Sequence, residues 1–478
     1  MAIVVLINPN QMKPAVAPLA LEYLAESLKS TGQEPHILDL CFSEDWESDI
    51  VSWFRANSAD LVGFTIRNTD DCYFASQDFF LPVYKRMIES IRKHTDAPIV
   101  LGGAGLSVAP EAALRMTGAD YAVRGDGELV LPILAERVTH GAETTDIPGL
   151  VYRIGERLYS NPPVWTDLSE IPTLRRTWLD NRRYFEEGGQ AGIETKRGCG
   201  MRCTYCADPA SKGNSCRLRP PQYVVDEINA LVQQGINCYH LCDAEFNIPY
   251  SHAEAVCHAI IDSGLASKIG WYTYASVTPF DDELARLMKR AGCLGIDFGA
   301  DSGNDQMLRS LGRHFTTQDV RRTAEICHRH KITFMYDLLL GGPGETRASI
   351  RQTIDLMKEI SPSRVGVSLG VRIYAGTGIA NLVLEEGFSE TNPNLRGNIK
   401  GNESFLAPVY YLSAELGSDI DEYITELIAD DPRFFHASRS QLDSNYNYND
   451  NSILVQAIRS GMRGAYWDIL RRIREGHS

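Results

Sequence analysis

No run of eighteen apolar residues occurs in this 478-residue sequence, which excludes a membrane-spanning helix. The opening MAIVVLINPN lacks a basic segment and a signal-length apolar core, so no secretory leader is read and the expected location is cytoplasmic. Positive charge is scarce: 47 Lys and Arg stand against 62 Asp and Glu, a net charge of −15. A nucleic-acid footprint needs clustered Lys and Arg, so no nucleic-acid partner is expected. Internal repeats are absent, and one polar run near 444–452 is expected to be a surface loop. A disulfide framework is also missing, because eleven cysteines, an odd and scattered number, fit reduced thiols better. Cys41, Cys238, Cys257, Cys293 and Cys327 lie among apolar residues and read as small core residues. What remains is an ordinary globular composition, 44% apolar and 23% charged, long enough for two or three domains.

Three cysteines are not scattered. Cys199, Cys203 and Cys206 stand in Arg197-Gly-Cys-Gly-Met-Arg-Cys-Thr-Tyr-Cys, spaced C-x3-C-x2-C, after the short apolar run 191–195. Thiolates ligate iron–sulfur clusters, which normally take four of them. Three from one tight loop leave one iron without a protein ligand, open to a small chelating molecule. A closed zinc site would need a fourth ligand, and Cys216, ten residues beyond Cys206, is a candidate. A disulfide inside the loop suits a reducing compartment less well. The cluster reading is favoured.

This spacing, with Tyr205 just before the last cysteine, resembles the radical S-adenosylmethionine superfamily. The resemblance implies that Cys199, Cys203 and Cys206 hold a [4Fe-4S] cluster. Its open iron would be chelated by the amino and carboxylate groups of S-adenosylmethionine. An electron from a donor such as flavodoxin or ferredoxin would then cleave the sulfonium to a 5′-deoxyadenosyl radical.

Residues 1–140 alternate β-branched strands with amphipathic helices, including one expected over 75–94, the pattern of a Rossmann-like doubly wound parallel sheet. Ligands bind such sheets at the carboxyl ends of the strands. Asn8–Asn10, Arg67-Asn68-Thr-Asp70 and Gly102-Gly103-Ala-Gly105 follow strands at that edge, and the glycines permit close backbone approach. The order Leu101–Glu111, Gly118–Tyr121 and Arg124-Gly-Asp-Gly-Glu128 is similar to the cobalamin-binding domain that precedes many radical S-adenosylmethionine enzymes. That resemblance implies cobalamin against Arg67, Asn68, Asp70, Gly102 and Gly103. The D-x-H-x-x-G motif that supplies a cobalt-ligating histidine in many cobalamin proteins is absent, so cobalamin would bind without it, or the domain has lost the cofactor.

Residues 141–190 read as a connector containing a hairpin. From 191 to 377 the strand–helix unit recurs six times, which suggests a partial (β/α)6 barrel open on one side, and residues 378–478 read as mainly helical. The cysteine loop follows the barrel's first strand, at the edge where barrel chemistry gathers.

Asp243 and Glu245 follow the second barrel strand in place of the superfamily's amino-group motif. The resemblance implies that one of them, Glu245 ahead of Asp243, pairs with the cofactor's ammonium; otherwise they decorate a solvated loop or a helix start. Asp301 and Ser302, in Gly299-Ala-Asp-Ser-Gly303, could hydrogen-bond a ribose or merely cap a turn. Ser276, ending the third strand, is a weaker candidate of the same kind. Gly341-Gly-Pro-Gly-Glu345 makes a rigid loop before a helix, and Arg372–Thr377 ends the sixth strand. His314, His328 and His330 are read as surface groups rather than metal ligands. The expectation is a cobalamin-dependent radical enzyme that methylates an unactivated carbon or phosphorus of a small molecule. The alternatives are a radical enzyme without cobalamin and a non-catalytic cluster or cobalamin sensor.

Overall fold

The computed structural model describes residues 1–436 and 450–476. Of the polar run 444–452, residues 444–449 lie outside the described residues, and Asn451 caps the helix Ser452–Arg459 by accepting from the Leu454 amide.

The first sheet contains β1 (Ile3–Asn8), β2 (Glu34–Asp39), β3 (Leu61–Thr65), β4 (Ile99–Gly102), β5 (Tyr121–Val123), β6 (Leu150–Ile154) and β7 (Arg157–Ser160). Their spatial order is β2-β1-β3-β4-β5-β6-β7, parallel through β5 and antiparallel beyond it. The hairpin therefore extends this sheet. Val4–Asn8 of β1 are all buried, as a parallel strand covered on both faces requires. Helices Leu19–Ser30, Trp46–Ala56, Leu81–Arg92, Pro110–Thr117 and Val130–Thr139 make the crossovers. The third of these was expected over 75–94 and starts only at Leu81, because Pro82 is tolerated in a first turn and not inside a helix. The chain leaves β1 toward β2 on one side and resumes with β3 on the other. The crevice at that reversal is where doubly wound sheets bind ligands.

The second sheet is wholly parallel. It contains β8 (Ala191–Ile193), then, after the short strands β9 (Lys196–Arg197) and β10 (Arg217–Leu218), β11 (Cys238–Leu241), β12 (Gly270–Ala275), β13 (Cys293–Asp301), β14 (Thr333–Leu340) and β15 (Arg364–Leu369). These six main strands run in sequence order around a partial barrel. Alternation in β13 sends Ile296, Phe298 and Ala300 into the core beneath the helices and Gly295, Asp297 and Gly299 toward the barrel interior.

The C-terminal region supplies strands as well as helices. β16 (Val371–Arg372), β17 (Leu395–Gly397) and β18 (Val409–Tyr411) form a small antiparallel sheet, and β19 (Phe434–His436) adds a seventh parallel strand beside β15. Helix Tyr466–Arg474 plugs the amino-terminal end of the barrel. There Tyr272 donates to Asp468 at 2.8 Å, and Trp467 packs edge-on to Tyr272 at 6.0 Å. Among the described residues no helix is long and apolar enough to cross a membrane.

Candidate functional site

β9 and β10 pair antiparallel, with Arg197 opposite Arg217, and pinch the cysteine loop at its base. Gly198 sits at φ +79°, where a Cβ would collide with the Ser215 carbonyl, so only glycine admits the loop here. Farther along, the Thr204 amide donates to the Leu311 carbonyl at 3.0 Å and the Thr204 carbonyl accepts from Ile379 at 2.9 Å. Arg313, next to that contact, donates from Nη1 to Cys203 Sγ at 3.0 Å. Its Nε lies 3.2 Å from Asp301, its Nη2 3.8 Å from Glu245, and Tyr205 donates to Asp301 at 2.7 Å. One guanidinium thus joins a cysteine, Glu245 and the Asp301–Tyr205 pair.

These residues wall a cavity of about 290 Å³ lined by Cys199, Cys203, Cys206, Tyr205, Glu245 and Arg313. Burial pushes all three thiols upward, Cys206 to about 12, so a metal centre that displaces their protons is what would make them thiolates. Burial also raises Glu245 to about 7, against the opposing pull of Arg313. Lys196 is 2% exposed, its Nζ has no hydrogen-bond partner among the described residues, and its charge acts on both Cys199 and Glu245. A buried ammonium without a partner is costly. Among the described residues no three His, Cys, Asp or Glu side chains converge on one ion. Cys216 turns to the Gly198 and Ile248 carbonyls, each at 3.7 Å, which disfavours the closed zinc site. Separate thiols with cationic neighbours fit an anionic cluster, in which each cysteine takes its own iron.

A second, larger cavity of about 590 Å³ lies between the first sheet and the barrel. Asn8, Asn10, Arg67, Asn68, Gly102 and Gly103 line it from the carboxyl edge of the first sheet. Gly103, at φ +107°, would place a Cβ 2.5 Å from the Ile66 carbonyl, so glycine is what lets the two loops approach. Arg67 is exposed toward the cavity, and its charge acts on Cys242, Tyr274 and Tyr466 of the opposite wall. The Gln190 side-chain carbonyl, also on the lining, is buried without a donor among the described residues. No histidine among the described lining residues comes from the first sheet's loops, in keeping with the missing motif. His240, on the barrel wall, is held down to about 4 by burial and lies 4.6 Å from the Tyr274 ring. Lys212, Cys242 and Tyr274 line both cavities, which therefore meet there.

Charge locks the two regions together. Arg197 pairs with Glu128 at 2.6 Å, Asp126 at 3.3 Å and Glu194 at 2.9 Å, and Arg217 pairs with Asp126 as well. The acidic pair of the Arg124–Glu128 segment thus fixes the base of the cysteine loop against the first domain.

Several expected ligands are engaged elsewhere. Asp243 is buried and accepts from the Thr195 amide at 2.9 Å, the Lys196 amide at 3.2 Å and the Thr195 hydroxyl, so its carboxylate tethers β8 while Glu245 faces the cysteines. Asp70 is fully buried and pairs with Arg372 at 2.9 Å, a tie between first domain and barrel rather than a face of the larger cavity. Ser302 meets Thr353 at 3.2 Å, and Ser276 exchanges backbone bonds with the Asn247 side chain; neither lines either cavity. Glu345 of the glycine-rich loop is buried on Ser349. His314, His328 and His330 bond to Thr278, Ile360 and Asp282 respectively. Sequence reasoning missed Lys196, Arg313 and the aromatic wall of His240, Tyr274, Tyr466 and Trp467, which comes from three separate segments.

Residues 193–357 match the Radical SAM superfamily, and residues 10–135 match the B12 binding domain. Tryptophan 2-C-methyltransferase of Streptomyces laurentii is 34% identical over 446 residues, which cover 80% of this chain and 74% of that protein. The radical S-adenosylmethionine methyltransferase TsrM from Kitasatospora setae, solved with tryptophan substrate and a SAM analogue, superposes with a TM-score of 0.94 at 29% identity, over all of both chains. The same enzyme with cobalamin and [4Fe-4S] cluster bound gives a TM-score of 0.90, also over all of both chains.

Proposed function

Because the chain belongs to the radical S-adenosylmethionine superfamily, in its branch of cobalamin-dependent methyltransferases, we propose that it methylates a carbon of an aromatic amino acid of the tryptophan type. The observation that carries this reading is the meeting of the two cavities at Lys212, Cys242 and Tyr274. A cysteine-lined site and a loop-lined site that open onto each other suit two cofactors acting on one substrate.

Cys199, Cys203 and Cys206 would hold the [4Fe-4S] cluster, with Arg313 on Cys203 and Lys196 beside Cys199 balancing its negative charge. Glu245, which faces the cysteines, would accept from the ammonium of S-adenosylmethionine, and its neighbour Arg313 favours the ionised carboxylate. Arg67, Asn68, Gly102 and Gly103 would border cobalamin, where the glycines keep the backbone close and no first-sheet imidazole intervenes. These groups supply electron transfer and methyl carriage; the protein orients the reacting centres and excludes water. Tyr274, 41% exposed where the cavities meet, offers stacking surface to a flat ring.

The test is anaerobic incubation of the fully loaded protein with reductant, L-tryptophan and S-adenosylmethionine carrying a trideuterated methyl. A tryptophan product bearing the labelled methyl is expected. Consumption of S-adenosylmethionine with no methylated tryptophan would contradict the substrate assignment.

A further inference from the structure

Four permanent cations line the two cavities among the described residues: Arg67, Arg197, Lys212 and Arg313. Three of them already have work. Arg197 is locked by Asp126, Glu128 and Glu194, and Arg313 is engaged by Cys203, Asp301 and Glu245. Arg67 stands at the edge of the first sheet, among the loops that would border cobalamin. Of the four, only Lys212 lines both cavities, together with Cys242 and Tyr274.

The backbone of Lys212 is fixed and its side chain is not. Helix Asp208–Lys212 begins two residues after Cys206 and packs against Ala104–Val108 of the first domain. Arg217 donates to the Lys212 carbonyl at 2.9 Å, and Gly213 ends the helix at φ +82°. The ammonium meets Asp208 at 3.5 Å, with the two side chains 31% and 33% exposed. That is longer than the roughly 2.7–2.9 Å of a firm charge-assisted bond. An ammonium has three donors, and this contact takes one of them. The flexible four-carbon stem lets the charged head reach into the meeting point of the cavities.

An aromatic amino acid brings a carboxylate into this chamber, and a carboxylate taken out of water needs a cation. Cys242 and Tyr274, the other two residues shared by both linings, offer hydrogen bonds and no positive charge. In the reading above, S-adenosylmethionine has the cluster and Glu245 for its own polar end, which leaves Lys212 to the substrate.

We propose that Lys212 anchors the carboxylate of the substrate where the two cavities meet, with the aromatic portion resting against Tyr274. This rests on the reading of the substrate as an aromatic amino acid and adds which group recognises its anionic end. S-adenosylmethionine also carries a carboxylate, and the test separates the two sources.

The experiment measures equilibrium binding to the cluster- and cobalamin-loaded protein of L-tryptophan, of tryptamine, which lacks the carboxylate, and of S-adenosylmethionine. The wild type is expected to prefer L-tryptophan over tryptamine at least roughly tenfold, as one charge-assisted hydrogen bond provides. Lys212→Met is expected to erase that preference by weakening L-tryptophan alone, and Lys212→Arg, which keeps the charge, to retain part of it. S-adenosylmethionine affinity and cobalamin uptake should stay as in the wild type. Equal wild-type affinity for the two indoles overturns the anchor and leaves the substrate class standing, and this comparison needs no variant to fold. An undiminished preference in Lys212→Met, equal weakening of both indoles, or a loss confined to S-adenosylmethionine also overturns it. If the loaded wild type binds neither indole, the substrate class and the anchor fall together.

Discussion

The larger cavity draws its lining from residues scattered between Leu6 and Trp467, whereas the smaller draws more than half of it from the fourteen positions 199–212. The first is built from loops whose backbones must approach closely, as at Gly103; the second is built from side chains, three thiols and the charges around them. A cluster is held by bonds to specific atoms, so its ligands must be cysteines at fixed spacing. A large organic cofactor is held by shape and by many weak contacts, so a loop can serve with varied residues provided its backbone path is kept. The two sites should therefore fail independently when their own residues change and together when the ties between them are cut.

The sharpest separation is expected from replacing Cys199, Cys203 and Cys206 together by Ala. Iron and sulfide should be absent after reconstitution, while cobalamin uptake, followed by its visible absorption, should remain. Next in size is Arg197→Met, which leaves Asp126, Glu128 and Glu194 without their shared cation in a buried setting. Removing one partner of a buried pair costs about 3–5 kcal/mol. The melting temperature should fall, and both cofactors should load poorly, since this contact joins the two regions.

Titration gives a third contrast, because the cavities depend on pH in opposite senses. Glu245 is raised by burial from 4.5 to about 7, so its contribution to the stability of the cofactor-free fold is full below about pH 4.5 and is lost as the pH rises toward 7. His240 is lowered by burial from 6.5 to about 4, so its contribution is full above about pH 6.5 and is lost as the pH falls toward 4. Each window is worth about 3 kcal/mol at most. In melting temperatures measured across pH, Glu245→Gln should flatten the upper slope and His240→Gln the lower one. An unchanged profile in either variant would remove that residue from the account.

The smallest effect is expected from Gly103→Val. A Cβ there meets the Ile66 carbonyl at 2.5 Å with φ at +107°. Local strain of about 1–3 kcal/mol should weaken cobalamin binding roughly fivefold to a hundredfold and leave iron content intact. Equal loss of iron would mean that the two sites are not separable.

Much of this plan was legible because its ligands are neighbours in the chain. The C-x3-C-x2-C spacing needs no tertiary information, and the strand–helix period placed the edges from which Arg67, Gly103 and Glu245 project. What could not be read was which polar residues at those edges are already engaged. Asp70 and Asp243 stand beside Arg67 and Glu245 in sequence, yet Arg372 and the Thr195 amide, distant in the chain, claim them. Arg313 gave no signal either, since its partners Cys203, Glu245 and Asp301 come from three separate segments.

The central claim, that methyl transfer passes through both cavities, is tested most directly by the dependence of product on bound cobalamin. Protein with a full complement of cluster iron would be prepared with graded cobalamin content and assayed with L-tryptophan and S-adenosylmethionine under reducing, anaerobic conditions. The account predicts methylated product in proportion to bound cobalamin and none in its absence. Equal product from cobalamin-free protein would contradict it and leave the larger cavity as a structural contact alone.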